Sequence, residues 1–270
     1  MIYIIFAPPR YGKTSLMAHI LNHYAFDRER IRNMKAEILS KNINGFNLSI
    51  PQHCVAANFD CTFHKFRHSI RKNRRINPYR LGFENEWVKT HFSLPYEVYG
   101  ITEAQKYFNS RMSLYYPDWQ SRFVEAHGHD HLDLFLDTHR PNLIDPNVRD
   151  LARFIEIIKL EKGFNDYGQV NKATWTIRVM DNSAIYEKYV NSGKTDKSCY
   201  TEKKVVANYN VFSIYNSFEC KPKFYNGHLT HDFDLQYSKV IEETFDGYLN
   251  YLKENDDELP KNFYIKRTEK

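Results

Sequence analysis

The run Ile2-Tyr3-Ile4-Ile5-Phe6 passes directly into Ala7-Pro8-Pro9-Arg10-Tyr11-Gly12-Lys13-Thr14-Ser15. A stretch of β-formers feeds a tight Gly-Lys-Thr turn, after which Leu16, Met17, Ile20, Leu21 and Tyr24 recur at helical spacing. Strand, turn and helix in this order describe a phosphate-binding loop. In such a loop, backbone N–H groups and the positive end of the helix dipole face an anion. Ala7, Pro8, Pro9, Arg10, Tyr11, Gly12, Lys13, Thr14 and Ser15 would form the cradle. Lys13 would reach the β- and γ-phosphates of ATP, and the Thr14 hydroxyl would ligate Mg²⁺. The first motif position, usually Gly, is Ala7, which costs little unless the backbone there needs φ > 0.

The chain of 270 residues allows one large domain or two small ones. Charged residues at 26% and hydrophobic ones at 42% describe an ordinary globule, and the net charge of +5 permits an anionic partner without demanding one. Cys54, Cys61, Cys199 and Cys220 show no framework spacing, so reduced thiols are expected. No window is apolar for long enough to span a membrane, and a strand begins at Ile2, so a cytoplasmic protein is expected.

Further along, a second strand is expected around Cys54 to Phe59. The most basic stretch follows, with Arg67, Arg71, Arg74 and Arg75 among Phe63, Phe66 and Tyr79. Basic residues mixed with aromatics suit a nucleic-acid backbone and stacked bases, so this stretch reads either as a DNA contact or as a merely solvated face. Arg67, Arg71 and Arg75 would share one side of a helix. Tyr96 to Ile101 reads as a strand that ends at Thr102-Glu103. A carboxylate at that end lies at the mouth of a parallel sheet, where Glu103 could polarise a water. Leu132 to Leu136 is another strand, ending at Asp137-Thr138-His139-Arg140-Pro141. Its apolar run before an aspartate makes it a rival metal-side strand, and the pattern does not choose between the two. Two groups have zinc-ligand residue types, His127/His129/His131 and Cys61/His64/His68, but neither has a clear fourth ligand, so zinc is not expected.

These stretches together resemble the zonula occludens toxin (Zot) family, whose N-terminal domain is a P-loop ATPase related to filamentous-phage gene I assembly proteins and, more distantly, to FtsK/HerA translocases. The likeness is carried by Glu103-Ala104-Gln105, Phe108-Asn109-Ser110-Arg111, Pro117-Asp118-Trp119, His127-Gly128-His129, Thr138-His139-Arg140-Pro141 and Leu143-Ile144-Asp145. It weakens over Thr174 to Ser217, where Trp175 to Val179 and Val211 to Ser217 resemble late strands. The resemblance implies that Glu103 is the Walker B glutamate and contributes to Mg²⁺ binding. It also implies that Asp137-Thr138-His139 belongs to the strand that senses the γ-phosphate. Lys13, Glu103 and His139 would then be the catalytic set. Arg140, Arg149 and Arg111 are the candidates for an arginine finger supplied by a neighbouring subunit. Three positions depart from the family pattern: Thr102 replaces the aspartate before the glutamate, His139 a glutamine and Gly128 an arginine.

The expected fold is a three-layer α/β/α P-loop NTPase with a mainly parallel sheet, extended by late strands. Residues 1–220 would form the ATPase domain. Residues 221–270 would form a helical extension, with Leu235, Val240, Ile241, Phe245, Tyr248, Leu249 and Leu252 on one face, and a polar tail. The expected function is ATP hydrolysis with Mg²⁺ that drives DNA movement, packaging or virion assembly for a phage or mobile element. The expected form is a homo-oligomeric ring, with phage or membrane assembly partners able to hold it at the inner membrane. The alternative is a non-hydrolysing scaffold that binds nucleotide or DNA.

Overall fold

A computed structural model describes residues 1–40, 53–64, 70–76, 78, 94–111, 118–215, 223–225 and 228–230. Strand β1 (Ile2–Phe6) leads through the loop to helices α1 (Lys13–Tyr24) and α2 (Arg28–Ser40). Strands β2 (Val55–Ala57), β3 (Thr62–His64), β4 (Ile70–Lys72), β5 (Arg74–Arg75) and β6 (Val98–Ile101) follow. Helix α3 (Asp118–Ala126) precedes β7 (Asp133–Thr138), and the short helix α4 (Pro146–Asp150) enters β8 (Ala152–Phe164). Then come β9 (Val170–Met180), helix α5 (Ser183–Asn191) and β10 (Thr201–Ala207), with a small hairpin of β11 (Lys223–Tyr225) and β12 (His228–Thr230).

Eight strands form one sheet in the order β10-β9-β8-β1-β7-β6-β2-β5. Every pairing from β8 to β5 is parallel, while β8–β9 and β9–β10 are antiparallel. β1 lies between β7 and β8, which explains its nearly unbroken apolar sequence, because both of its faces are covered. Ile5 faces a core built with Leu16, Met17 and Leu21 of α1 and Met34 of α2. Ile2, Ile4 and Phe6 face a second core with Phe123 of α3, Val148 of α4 and Tyr189 of α5. Helices therefore cover both faces of a mainly parallel sheet, the three-layer arrangement of P-loop NTPase folds. α1 packs so closely on β6 that a Cβ on Gly100 would lie 2.5 Å from Leu21 Cδ1.

Two expectations are corrected. The helix proposed through Arg71 and Arg75 is extended backbone: Arg71 lies in β4, antiparallel to β3, and Arg75 in β5, parallel to β2. Val211 to Ser217 does not begin as a strand. Val211–Ser213 is a 3₁₀ turn, because the Asn210 side chain accepts a hydrogen bond from Phe212 N (3.2 Å) and offers the backbone a turn instead of a ladder. Arg67, His68 and the stripe from Leu235 to Leu252 lie outside the described residues. Among the described residues, no helix is long and apolar enough to cross a membrane.

Candidate functional site

The carboxyl-terminal ends of β1, β6 and β7 bring the candidate residues together. After Phe6 the chain turns through Arg10 (φ 70°) and Gly12 (φ 79°) into α1, where Gly12 is the N-cap and no side chain caps the helix. The first turn of α1 has no acidic residue, so its free N–H groups face a potential anion without competition. Gly12 is required twice over. Its φ is left-handed, and a Cβ there would lie 2.7 Å from Leu160 Cδ2 and 2.8 Å from Ser15 Oγ.

Lys13 is buried, and its Nζ lies 3.0 Å from His139 Nδ1. Burial lowers its pKa, against the attraction of the Asp137 and Glu103 carboxylates. Because an ammonium group only donates, His139 Nδ1 is the acceptor and the ring proton sits on Nε2. That nitrogen lies 3.5 Å from Glu103 Oε1, and Gln105 Nε2 donates to Glu103 Oε2 at 2.6 Å. Lys13, His139, Glu103 and Gln105 thus form one polar chain across the mouth of the sheet.

A second contact joins the loop to β7. Thr14 Oγ1 donates to Asp137 Oδ2 (3.0 Å), and the Glu103 N–H donates to Asp137 Oδ1 (2.9 Å). Asp137 is 1% exposed, and burial pushes its carboxyl up to about 6, against the Glu103 N–H and the Lys13 charge. The same N–H bond helps hold Glu103 in the left-handed region, at φ 53°. Such strain is tolerated where surrounding contacts over-determine it.

Asp137 is therefore the carboxylate against Thr14, a pairing that the sequence left open and that the expected metal set, Thr14 with Glu103, omitted. Its signal was present: the apolar run from Leu132 to Leu136 ends on this aspartate. Thr102 is occupied elsewhere, since Asn58 accepts from its N–H (2.8 Å) and hydroxyl (3.3 Å) and donates to its carbonyl (3.0 Å). Two oxygen donors 3.0 Å apart, one a buried carboxylate, fit a hard cation such as Mg²⁺.

The remaining candidates divide. Arg140 and Arg111 are exposed, whereas Arg149 is half-buried with its Nε in the interior. Arg71 is engaged within the chain: its guanidinium donates to Ala25 O (2.5 Å) and lies 4.8 Å from the Phe26 ring centre. His127 and His131 lie in the turn between α3 and β7, not on a strand. His127 Nδ1 donates to Val124 O and His131 stacks on Tyr96. Among the described residues, no cluster of His, Cys, Asp or Glu could hold a metal by itself.

The loop, the strand order and the helices on both faces define the class of protein: a P-loop NTPase-type α/β fold. Solved structures similar to this chain include the N-terminal domain of zonular occludens toxin from Neisseria meningitidis, at 18% identity over 80% of this chain and 98% of that one, with TM-score 0.45. Another is the genome packaging NTPase B204 from Sulfolobus turreted icosahedral virus 2 in complex with ATP-gammaS, at 14% identity over 75% and 95%, with TM-score 0.37. No protein-family model and no curated protein matches the sequence.

Proposed function

We propose that this chain is a Zot-like P-loop ATPase that hydrolyses ATP to drive DNA movement, packaging or assembly for a phage or mobile element. The observation that carries the ATPase reading is the convergence of Lys13 and Thr14 on His139, Glu103 and Asp137 at one end of the sheet. On this reading α1 and the loop N–H groups hold the phosphates, and Lys13 leaves His139 Nδ1 to meet the terminal phosphate. The Glu103 carboxylate then orients the attacking water and receives its proton, with Gln105 and His139 fixing its direction. Thr14 Oγ1 and Asp137 would hold Mg²⁺, which when bound neutralises charge on the phosphate oxygens. Arg140, exposed beside His139, is the first choice for a finger acting across a ring interface.

Steady-state phosphate release tests the reading. Wild-type protein with Mg²⁺ and DNA is expected to turn over ATP, while Lys13→Ala, Glu103→Gln and Asp137→Asn are expected to lose that turnover. Wild-type turnover no greater than that of these variants would sink it. A scaffold that binds nucleotide without hydrolysis is favoured by one observation. Thr102 is tied to Asn58 and is no carboxylate, so of the two residues that follow β6 Glu103 alone brings one to the site. ATP binding by calorimetry with no turnover would select that second reading.

A further inference from the structure

The last residue of β1, Phe6, pairs with Glu156, but β8 and β9 continue past this point as an antiparallel arm on the phosphate-loop side of the sheet. The arm is rooted on the loop itself. Leu160 and Trp175 are cross-strand partners, and a Cβ on Gly12 would lie 2.7 Å from Leu160 Cδ2 and 3.1 Å from Trp175 Nε1. Trp175 is fully buried and stacks on His19 of α1. Its indole N–H has no hydrogen-bond partner among the described residues.

The far end of the arm is also rigid. Asn165 Oδ1 accepts from Tyr167 N (3.1 Å) and Gln169 N (2.9 Å). Two backbone bonds, Asn165 N to Gln169 O and Gly168 N to Asn165 O, both 2.9 Å, close the turn, and Gly168 supplies its left-handed residue at φ 71°. Yet this ordered turn leaves apolar surface in water: Phe164 is 60% exposed and Tyr167 is 88% exposed. Among the described residues these two aromatic rings are held largely outward and mark a contact surface.

The charge nearby indicates what the surface contacts. Lys172, paired with Gly163 just below the turn, is exposed, as is Asp166 within the turn, while Lys203 and Lys204 lie further down the arm opposite Ile177 and Thr176. Lys159 is matched by Glu161 at 2.7 Å, and Lys162 lies over the Phe212 ring at 4.6 Å. Exposed π-faces beside the exposed Lys172 ammonium suit unpaired bases and their phosphates.

We propose that the tip of the β8–β9 arm is a single-stranded nucleic-acid contact, with Tyr167 and Phe164 as stacking faces and Lys172 as a phosphate partner. The inference deepens the proposed function, on which it rests for the kind of partner. It also moves nucleic-acid binding away from Arg71, which is spent on Ala25 and Phe26. Because the root touches Gly12, strand engagement at the tip and occupancy of the phosphate loop act on the same packed residues.

The test uses the full chain and a fluorescein-labelled oligothymidylate, read by anisotropy at low salt and then across a salt series. The double variant Phe164→Ala with Tyr167→Ala is expected to bind about tenfold or more weakly, the scale of losing base–aromatic stacking. Tyr167→Trp is expected to retain binding, and Lys172→Ala to flatten the salt dependence. The inference is overturned if the wild-type chain does not bind the oligonucleotide or if the double variant binds it equally well. It also fails if a duplex of the same sequence is preferred. Sedimentation showing that the double variant separates copies of the chain, with oligonucleotide affinity intact, would reassign the tip to a chain–chain contact. ATP turnover with Mg²⁺ and duplex DNA, measured in parallel, keeps the two readings separate. Its absence removes the ATPase, while anisotropy still decides the tip.

Discussion

The two ends of strands β6 and β7 both carry charge and left-handed backbone, yet they treat them differently. At the amino-terminal end, Arg30 of α2 donates to Tyr96 O (2.6 Å), His131 O (2.7 Å) and Asp133 Oδ2 (2.6 Å), and lies 5.3 Å from the Tyr24 ring centre. Tyr96 (φ 61°) and His131 (φ 55°) are the left-handed residues there, and both give their carbonyls to this one guanidinium. At the carboxyl-terminal end, Arg10 and Glu103 are left-handed, and the charges of Lys13 and Asp137 are buried among groups that also face the mouth of the sheet. Positive φ alone therefore does not distinguish a candidate binding site from a structural clamp. The distinction lies in whether the charged groups have fixed partners, or partners that a ligand can replace.

The largest effect should separate binding from stability. Lys13→Met is expected to weaken ATP binding by about a hundredfold or more, as loss of a buried charged contact does. Its melting temperature should not fall, because a buried ammonium is itself costly. Calorimetry with a parallel thermal melt checks both, and a clear drop in melting temperature would erase the contrast between the two ends.

Arg30→Ala should behave in the opposite way. It leaves Asp133 Oδ2 and the Tyr96, Glu97 and His131 carbonyls without this donor, so a loss of about 3 kcal/mol in unfolding free energy is expected, with ATP affinity unchanged once the protein is folded. Urea unfolding measures the loss, and an equal loss of ATP affinity would show that the two ends are coupled.

The smallest effect concerns Cys54, buried near the clamp, whose thiol burial pushes from 9.0 up to about 12. The folded chain keeps that proton while the unfolded chain releases it. The group therefore subtracts stability as pH rises above about 9 and has no effect below. Peptide mapping after iodoacetamide treatment at neutral pH should find Cys54 unlabelled in the native state and labelled in urea.

Legibility in the sequence followed the distance between interacting residues. The phosphate loop is continuous from Ile2 to Tyr24, so its strand, turn and helix could be read directly. Glu103 was recognisable because it ends a strand. The contact between Thr14 and Asp137 was not, because it depends on which strand lies beside β1, and no local pattern encodes strand order. The partners of Arg71 were hidden for a related reason. Its charge was visible, whereas the Ala25 carbonyl and Phe26 ring that engage it come from a distant turn. Asn210 shows the opposite limit, a single side chain redirecting a stretch whose β-rich composition pointed to a strand.

The place of β1 in the sheet has a temporal consequence. Ile2 pairs with Leu134 on one side and Ala152 on the other, so this strand is completed only after much more of the chain has left the ribosome. Leu160 and Trp175, which back the glycine of the loop, come later still. A growing chain displays the phosphate-binding motif before these partners emerge and cannot shape it until they arrive. Nucleotide capture should therefore begin late in synthesis, and with contacts this remote in sequence the step is slow.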